Sequence, residues 1–267
     1  MAQSDHYRGQ KTIVVGNADA SHVVLLLHGY TGSPADFGIL PQALAENMDA
    51  WVHVPLLPGH GTHVEELEPF IFDDFLEYVK RYARQFIGTD RTLIIGGHSY
   101  GGQLAVLLAK DAKPAALVAT VLPFHLRFPL STRIFQTVWK SRKFWTKHLS
   151  DEERAERAGN FFYNTMPSKS LALLLEGNER LKQALPHIQC PTLTLHARQD
   201  RLAYADSGAK MLAYIESVVQ KSVIIENGRH SLFLSDEGPQ VVSMITLNYE
   251  TPLPSTFPHT KNTHSFL

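Results

Sequence analysis

The chain has 267 residues, of which 44% are hydrophobic, so it is long and apolar enough to bury one sizeable core. Its 25 Lys and Arg residues nearly balance 26 Asp and Glu residues, and the formal net charge of -1 gives no electrostatic reason to expect a nucleic-acid partner. A single cysteine excludes an internal disulfide, the polar first residues do not resemble a signal peptide, and no apolar run has membrane-spanning length, so we expect a cytoplasmic protein without stable membrane insertion.

Short apolar runs alternate with segments of helical spacing through most of the chain. In the first half, strands are predicted at 12–15, 23–27, 51–54, 92–95 and 117–122, with helices at 36–47, 72–86 and 103–110. In the second half, strands are predicted at 192–196 and 222–225, with helices at 205–218 and 237–247. Runs that are apolar on both faces are typical of parallel strands covered by helices. The chain is therefore predicted to be an α/β protein with a mostly parallel central sheet.

Residues 123–186 interrupt this alternation. Their hydrophobic pattern predicts helices at 132–143, 151–159 and 168–185 and no strand. We interpret the stretch as a small helical cap inserted over the strand ends, with an ordinary set of connecting helices as the alternative. The core would then comprise 1–122 and 187–250, and the Pro-rich, polar residues 251–267 are predicted to be a disordered tail.

A glycine-rich turn, His28-Gly29-Tyr30-Thr31-Gly32, follows the second predicted strand. Acyl transfer needs two backbone N–H groups aimed at the carbonyl oxygen as it becomes an anion. We predict that the Tyr30 amide is one of them. The alternative is a simple turn that uses Gly29 and Gly32 only for their flexibility.

The sequence Gly97-His98-Ser99-Tyr100-Gly101 lies between a predicted buried strand and a predicted helix. This G-x-S-x-G pattern in that context is typical of a nucleophile elbow, a sharp turn that presents a serine hydroxyl above the sheet. Ser99 is therefore the predicted nucleophile. The Tyr100 amide, at the start of the helix, is the predicted second oxyanion donor.

The acid and the base of a triad are expected after the serine, in that order. Asp200 follows a predicted strand and is the preferred acid, with Asp206 and Glu226 as alternatives. His230 lies in the loop before the last predicted helix and is the preferred base. We interpret His28 and His98 as structural neighbours of the site.

The pair His60 and His63 has a spacing that also occurs in metal sites. Zinc needs three or four ligands with supporting contacts, and the sequence shows no matching cysteine or carboxylate cluster. We therefore predict no metal site and interpret this loop as part of the pocket wall.

Three segments together resemble a known family: His28-Gly29-Tyr30-Thr31-Gly32-Ser33-Pro34, Pro55-Leu56-Leu57-Pro58-Gly59-His60-Gly61-Thr62 and Gly97-His98-Ser99-Tyr100-Gly101-Gly102. They are similar to bacterial carboxylesterases and monoacylglycerol lipases of the α/β-hydrolase superfamily. The late segments around Cys190-Pro191 and Gly228-Arg229-His230 resemble the matching end of that family. The resemblance implies a small cap, no cofactor or metal, and a small-molecule ester as the partner.

The expected reaction is hydrolysis of short- to medium-chain esters or monoacylglycerols through an acyl-enzyme on Ser99. Phe37, Phe124, Leu126 and Phe233 are candidate apolar wall residues, although buried packing is an equal interpretation for the segment that contains Phe124 and Leu126. No positive cluster near the motifs demands a charged acyl group. The alternatives are a thioesterase, an amidase or peptidase, a carbon–carbon bond hydrolase, or a non-catalytic binder. The sequence leaves the oligomeric state open.

Overall fold

The computed structural model describes residues 8–127, 143–217 and 219–250, with the backbone alone for 248–250. Nine strands are present in these ranges: β1 (Ile13–Val15), β2 (His22–Leu27), β3 (Ala50–Val54), β4 (Thr92–His98), β5 (Ala116–Thr120), β6 (Phe144–Thr146), β7 (Thr165–Pro167), β8 (Thr192–Ala197) and β9 (Gln220–Ile225). Seven of them form one sheet in the order β1-β3-β2-β4-β5-β8-β9. All neighbouring pairs in that sheet are parallel except β1 with β3.

The described helices are α1 (Leu40–Met48), α2 (Phe72–Ala83), α3 (Tyr100–Ala112), α4 (Asp151–Glu156), α5 (Ser170–Ala184), α6 (Ser207–Leu212) and α7 (Gly238–Glu250). Three short 3₁₀ helices also occur, at Pro34–Phe37, Val64–Leu67 and Leu185–His187. None of the described helices is both long and apolar enough to cross a membrane.

The sheet separates two apolar layers. In β2 the side chains alternate between the faces: Val23, Leu25 and Leu27 contact one layer, whereas Val24 and Leu26 contact the other. Helices α2, α3, α5 and α6 contribute to the first layer, and α1 and α7 to the second. All five of these β2 side chains are buried, as expected for a parallel strand covered on both faces. This two-sided burial fixes the strand ends, and with them the loops that follow.

Helices α2 and α3 show how local sequence sets the elements beside the site. In α2 the buried residues Phe72, Phe75, Leu76, Val79 and Ala83 form one stripe at helical spacing. The Asp74 carboxylate accepts the Ile71 N–H at 2.8 Å, which caps the first turn of this helix. Helix α3 is apolar nearly all round because it packs between α2 and α5 as well as on the sheet.

The predicted α/β architecture, with a mostly parallel central sheet covered by helices, is confirmed. Each of the seven predicted strands is present, with ends shifted by a few residues. The helix predicted at 36–47 is divided into a 3₁₀ turn and α1, because Gly38 with φ 53° breaks the helix between them. The helix predicted at 205–218 is only the six residues of α6.

Residues 143–187 contain α4 and α5, close to the helices predicted at 151–159 and 168–185. The expectation of no strand was wrong, because β6 and β7 pair as an antiparallel hairpin. Strands of three residues are too short for an alternating pattern to reveal them. The helix predicted at 132–143 falls almost wholly, and the tail predicted at 251–267 wholly, outside the described residues.

Candidate active site

Ser99 lies at the turn between β4 and α3 in a strained backbone conformation, with φ 54° and ψ -119°. The turn needs glycine on both sides. A Cβ on Gly97 would lie 2.2 Å from the Gly101 carbonyl oxygen, and a Cβ on Gly101 would lie 2.0 Å from the Leu27 carbonyl oxygen. The glycines therefore let the helix approach β2 closely, and the sequence motif is explained by contact rather than by flexibility alone.

The three residues predicted as a triad meet in space. His230 Nε2 lies 3.0 Å from Ser99 Oγ, and His230 Nδ1 lies 2.7 Å from Asp200 Oδ2. They come from three separate loops, after β4, after β8 and after β9, which open at the carboxyl ends of parallel strands in the same sheet. This arrangement can move a proton from the serine hydroxyl to the imidazole.

The Asp200 carboxylate is held in its ionised form. Burial by itself raises the pKa of this group, but the adjacent His230 and the Leu202 and Ala203 amides outweigh it, so the pKa is lowered. Those amides donate to Asp200 Oδ1 at 2.7 and 3.2 Å, leaving Oδ2 for the imidazole. Asp200 is thus fully hydrogen-bonded in the orientation that His230 requires.

The structure does not bring the two alternative acids to the serine. Asp206 pairs with His125 at 2.8 Å and with Lys210 at 3.1 Å, and Glu226 pairs with Arg198 at 2.8 Å. All of these pairs are substantially exposed to solvent. Asp200 is the acid that contacts His230.

The Tyr30 and Tyr100 amides are available as donors. Tyr100 is the first residue of α3, so its N–H has no partner within the helix. Among the described residues, neither amide donates a hydrogen bond to a protein acceptor. Two buried donors without partners cost free energy unless a ligand or water uses them. Both residues come from segments that line Ser99, where an oxyanion would need such donors.

Buried, neutral histidines surround the loop that carries the Tyr30 amide. Burial lowers the pKa of His28, His60 and His98, so none of them adds a positive charge beside the triad at neutral pH. His28 Nε2 accepts the Leu57 N–H at 3.0 Å, and His60 Nε2 hydrogen-bonds the Tyr30 carbonyl oxygen. His28 and His60 therefore brace the loop that carries the Tyr30 amide.

His60 is engaged with backbone carbonyls rather than with a metal-like cluster. Its Nδ1 lies 2.9 Å from the Pro58 carbonyl oxygen. Over the part of the chain that the structure describes, no group of three or more His, Cys, Asp or Glu side chains is placed to hold a metal ion.

A cavity of about 690 Å³ opens above Ser99 and His230. This volume is within the usual range for small-molecule sites. Of the four candidate wall residues, Leu126 lines it. Leu126 is held there by an antiparallel bridge to Ala203, and Arg127 Nε donates to the Asp200 carbonyl oxygen. The chain after β5 is thus attached to the loop that carries the acid.

Phe37, Phe124 and Phe233 do not line the cavity, so the pocket-wall interpretation is wrong for these three residues, and for Phe124 the alternative of packing against the core holds. Phe37 and Phe233 pack against each other at 5.4 Å between ring centroids, in the apolar layer behind His98. Phe124 packs against Tyr214 at 5.6 Å. All three rings therefore contribute to packing in the two apolar layers rather than to the cavity wall.

Several cavity residues were not predicted. Most belong to residues 143–187, whose sequence carries no motif: Trp145, Lys147, Leu149, Arg157, Met166, Leu171 and Leu174. Asp36 also lines the cavity, although the sequence indicated only that this residue lies at the start of a predicted helix. Two cations from a distant segment therefore face the site, although no positive cluster is visible near the motifs in the sequence.

The Alpha/beta hydrolase family matches residues 24–243. A thermostable monoacylglycerol lipase from Bacillus sp. (strain H-257) is 24% identical over 220 residues, covering 82% of this chain and 86% of that protein. A carboxylesterase from Bacillus subtilis (strain 168) is 25% identical over 222 residues, covering 80% and 86%.

Solved structures show the same fold. A structure from a study of LipS and LipT, two metagenome-derived lipolytic enzymes, superposes with a TM-score of 0.78 at 21% identity, covering 90% of this chain and 97% of that one. The Paleococcus ferrophilus monoacylglycerol lipase superposes with a TM-score of 0.73 at 15% identity, covering 88% and 96%. At these identities the likeness describes the fold.

Proposed function

The chain belongs to the alpha/beta hydrolase family, and from this premise we propose that it is a carboxylic ester hydrolase with Ser99 as nucleophile, His230 as base and Asp200 as the orienting acid. The observation that carries the proposal is the continuous chain of contacts from Ser99 Oγ through the His230 ring to Asp200 Oδ2, at 3.0 and 2.7 Å. The names of the two Bacillus relatives, a monoacylglycerol lipase and a carboxylesterase, support the same reaction.

The proton path follows from these contacts. His230 Nε2 takes the Ser99 proton as Oγ attacks the ester carbonyl carbon, and the same nitrogen then gives the proton to the departing alcohol. Asp200 holds Nδ1 protonated, which leaves Nε2 as the acceptor, and it stabilises the imidazolium that forms. Water then attacks the acyl-enzyme with His230 again as base, releasing the acid and free Ser99.

The Tyr30 and Tyr100 amides stabilise the negative charge that develops on the carbonyl oxygen. Removing one such donor typically costs about 2.7–4 kcal/mol of transition-state stabilisation. The absence of a protein partner for either amide in the described part of the chain supports this role. The bracing of the loop by His28 and His60 keeps the Tyr30 amide in place.

The substrate is an ester with a short- to medium-length acyl chain, including monoacylglycerols. The apolar side chains of Leu126, Leu149, Met166, Leu171 and Leu174 line the cavity and suit an alkyl chain. The cavity volume of about 690 Å³ is large enough for such a chain together with a small alcohol.

Residues 143–187 act as a cap. They supply much of the cavity wall, and they contact the core through defined hydrogen bonds. The Tyr163 N–H donates to the Thr31 carbonyl oxygen at 2.9 Å, and the Tyr163 hydroxyl donates to the Gly59 carbonyl oxygen at 2.8 Å. These bonds seat the cap on the loop that carries the Tyr30 amide and on the loop after β3.

Labelling with a fluorophosphonate tests the nucleophile. The wild-type protein is expected to be labelled, and Ser99→Ala is expected to lose both labelling and ester hydrolysis. Ser243→Ala, at an exposed position on α7, is the matched control and should behave as wild type. An unlabelled but folded wild-type protein would instead indicate a non-catalytic binder.

Two substrate series test the reaction class and the acyl length. An ester, a thioester and an amide of octanoate compare the bond cleaved, and the ester is expected to have the highest kcat/KM. p-Nitrophenyl esters of increasing chain length compare the acyl group, and activity is expected to extend to medium chains. Hydrolysis of p-nitrophenyl acetate alone would reject the medium-chain assignment.

A further inference from the structure

The cavity has an apolar side and a charged side. The charged side carries Asp36, Lys147, Glu153, Arg157 and Arg201, all outside the triad. An alkyl chain needs no such groups, and burying charges is costly unless partners offset the cost. Binding of an alkyl chain therefore does not explain the charged side.

Most of these charges have partners. Arg157 Nη1 lies 3.5 Å from Asp36 Oδ1, and Arg201 Nη1 lies 3.8 Å from Glu153 Oε2. Lys147 differs: within the described residues, its ammonium makes no ion pair and no side-chain hydrogen bond. With the two pairs neutral, Lys147 in its protonated form leaves one positive charge without a paired anion among the described residues on this side of the cavity.

The charged side lies beside the reacting atoms. A Cβ built on Gly29 would lie 3.6 Å from both Asp36 Oδ2 and Ser99 Cβ, so the carboxylate is next to the loop that carries the Tyr30 amide. The Asp36–Arg157 pair is almost completely buried there. A substrate group that binds at Lys147 and at the Asp36–Arg157 pair would therefore belong to the same molecule as the ester bond that faces Ser99.

Lys147 and Arg157 flank one aromatic ring. The Lys147 Nζ lies 5.8 Å and the Arg157 Cζ 5.2 Å from the centroid of Phe162. Lys147 is partly exposed and lines the cavity, yet its surroundings are dense enough that burial, together with the Arg157 cation, lowers its pKa to about 7. Asp36 opposes this shift but is already paired with Arg157. A second cation beside one carboxylate is unfavourable until another anion joins the cluster.

We propose that Lys147, assisted by Arg157, binds a carboxylate or phosphate group of the substrate, so that the preferred esters carry a negative charge as well as an alkyl chain. The apolar side then takes the alkyl chain, and the charged side takes the anion through charge-assisted hydrogen bonds. This inference rests on the proposed ester hydrolysis at Ser99. A purely structural role does not explain Lys147, because Arg157 alone already pairs with Asp36.

Matched substrates test the proposal. On the acyl side, p-nitrophenyl octanoate is compared with the mono-p-nitrophenyl ester of octanedioate, which adds one terminal carboxylate. On the alcohol side, 1-octanoylglycerol is compared with 1-octanoylglycerol 3-phosphate. Lys147→Met is expected to lower kcat/KM for at least one anionic substrate by about 10-fold or more, chiefly through KM, while the neutral substrates change little. The pair that responds identifies which side of the ester carries the anion.

Two further variants complete the test. Lys147→Arg should restore the preference for the anionic substrate because it restores the charge, and Lys143→Met, at an exposed position beside the same hairpin, should have no effect. Lys147→Met is expected to melt no lower than wild type, because it removes a charge that is costly to bury. Equal losses on neutral and anionic substrates, or no loss on either, would overturn the proposal.

Failure of the proposed function would be distinguishable. If the wild-type protein hydrolyses none of these esters and takes no fluorophosphonate label, ester hydrolysis is rejected. Calorimetric titration with octanedioate and octanoate then examines the anion site directly. Tighter binding of octanedioate, lost in Lys147→Met, would support the site without catalysis, and equal binding of the two would reject it.

Discussion

The two sides of the cavity are built in different ways. The triad side is formed by loops that follow β4, β8 and β9, and the strands β4 and β8 are buried along most of their length. The opposite side is formed by residues 143–187, where α5 packs on the core, but no α4 residue is buried as a whole and β6 is only partly buried. The chemistry thus rests on a closely packed scaffold, whereas β6 and α4, which carry part of the substrate-facing wall, are held by fewer and more polar contacts.

Because the two sides are built separately, catalysis and substrate choice can vary separately. A change on the triad side should stop the reaction for every substrate. A change on the 143–187 side should alter stability or the ranking of substrates while leaving the triad geometry intact.

Asp200→Asn is expected to lower kcat by about 10⁴-fold, because the amide no longer holds His230 in the required tautomer. Asp206→Asn is the matched control and should remain near wild-type activity, since Asp206 forms only exposed pairs with His125 and Lys210. Steady-state hydrolysis of p-nitrophenyl octanoate measures both. A comparable loss in Asp206→Asn would reject Asp200 as the acid.

Arg157→Met is expected to destabilise the fold by about 3 kcal/mol at neutral pH, because it leaves the buried Asp36 carboxylate without its partner. Burial raises the pKa of Asp36 and Arg157 opposes that rise, so the pKa should rise further in the variant. The folded state then binds the proton more tightly than the unfolded state, and the deficit should shrink as pH falls.

Urea unfolding of this variant at neutral and mildly acidic pH measures the effect. The double variant Asp36→Asn with Arg157→Met should recover much of the lost stability at neutral pH, since no buried carboxylate is then left without its partner. A deficit that is the same at both pH values and in the double variant would mean that the pair contributes by packing rather than by charge.

Gly32→Ala is expected to lower kcat/KM by about 100-fold, because a Cβ there would lie 1.6 Å from Asp36 Oδ2 and would displace the loop that carries the Tyr30 amide. Gly29→Ala is the comparison within the same loop, where the new Cβ would meet only ordinary contacts at 3.6 Å, so its loss should be smaller. Kinetics together with melting temperatures separate a displaced loop from general unfolding. The reverse ranking would show that the Asp36 contact does not position this loop.

The preference for an anionic over a neutral ester is expected to fall severalfold as pH rises through about 7, the pKa of Lys147. Above this pKa the amine is neutral and cannot pair with the substrate anion. Asp36, Arg157 and His60 influence Lys147 directly, and His148, Glu153, Arg201 and His230 face the same cavity. His230 acts on both substrates, so its contribution cancels in the ratio of the two kcat/KM values. A ratio that does not change with pH, or that Lys147→Met leaves pH-dependent, would contradict this assignment.

Local patterns in the sequence determined the sheet, its flanking helices and the candidate triad. Ser99 was predicted because a strand, a G-x-S-x-G turn and a helix follow one another within a short span. Asp200 and His230 were predicted because each follows a predicted strand in the expected order, and loops at the carboxyl ends of parallel strands converge. Hydrophobic periodicity and chain order are both properties that a linear sequence contains.

Only the tertiary structure decided which other side chains reach the cavity. Phe37, Phe124 and Phe233 are apolar enough for a pocket wall, yet they pack in the two apolar layers instead. Asp36, by contrast, meets Lys147 and Arg157, which lie about a hundred residues further along the chain. No local pattern encodes such a meeting, because the contact depends on how the hairpin and α4 are seated on the core. The sequence determined the reactive groups through short-range constraints, and long-range packing decided what surrounds them.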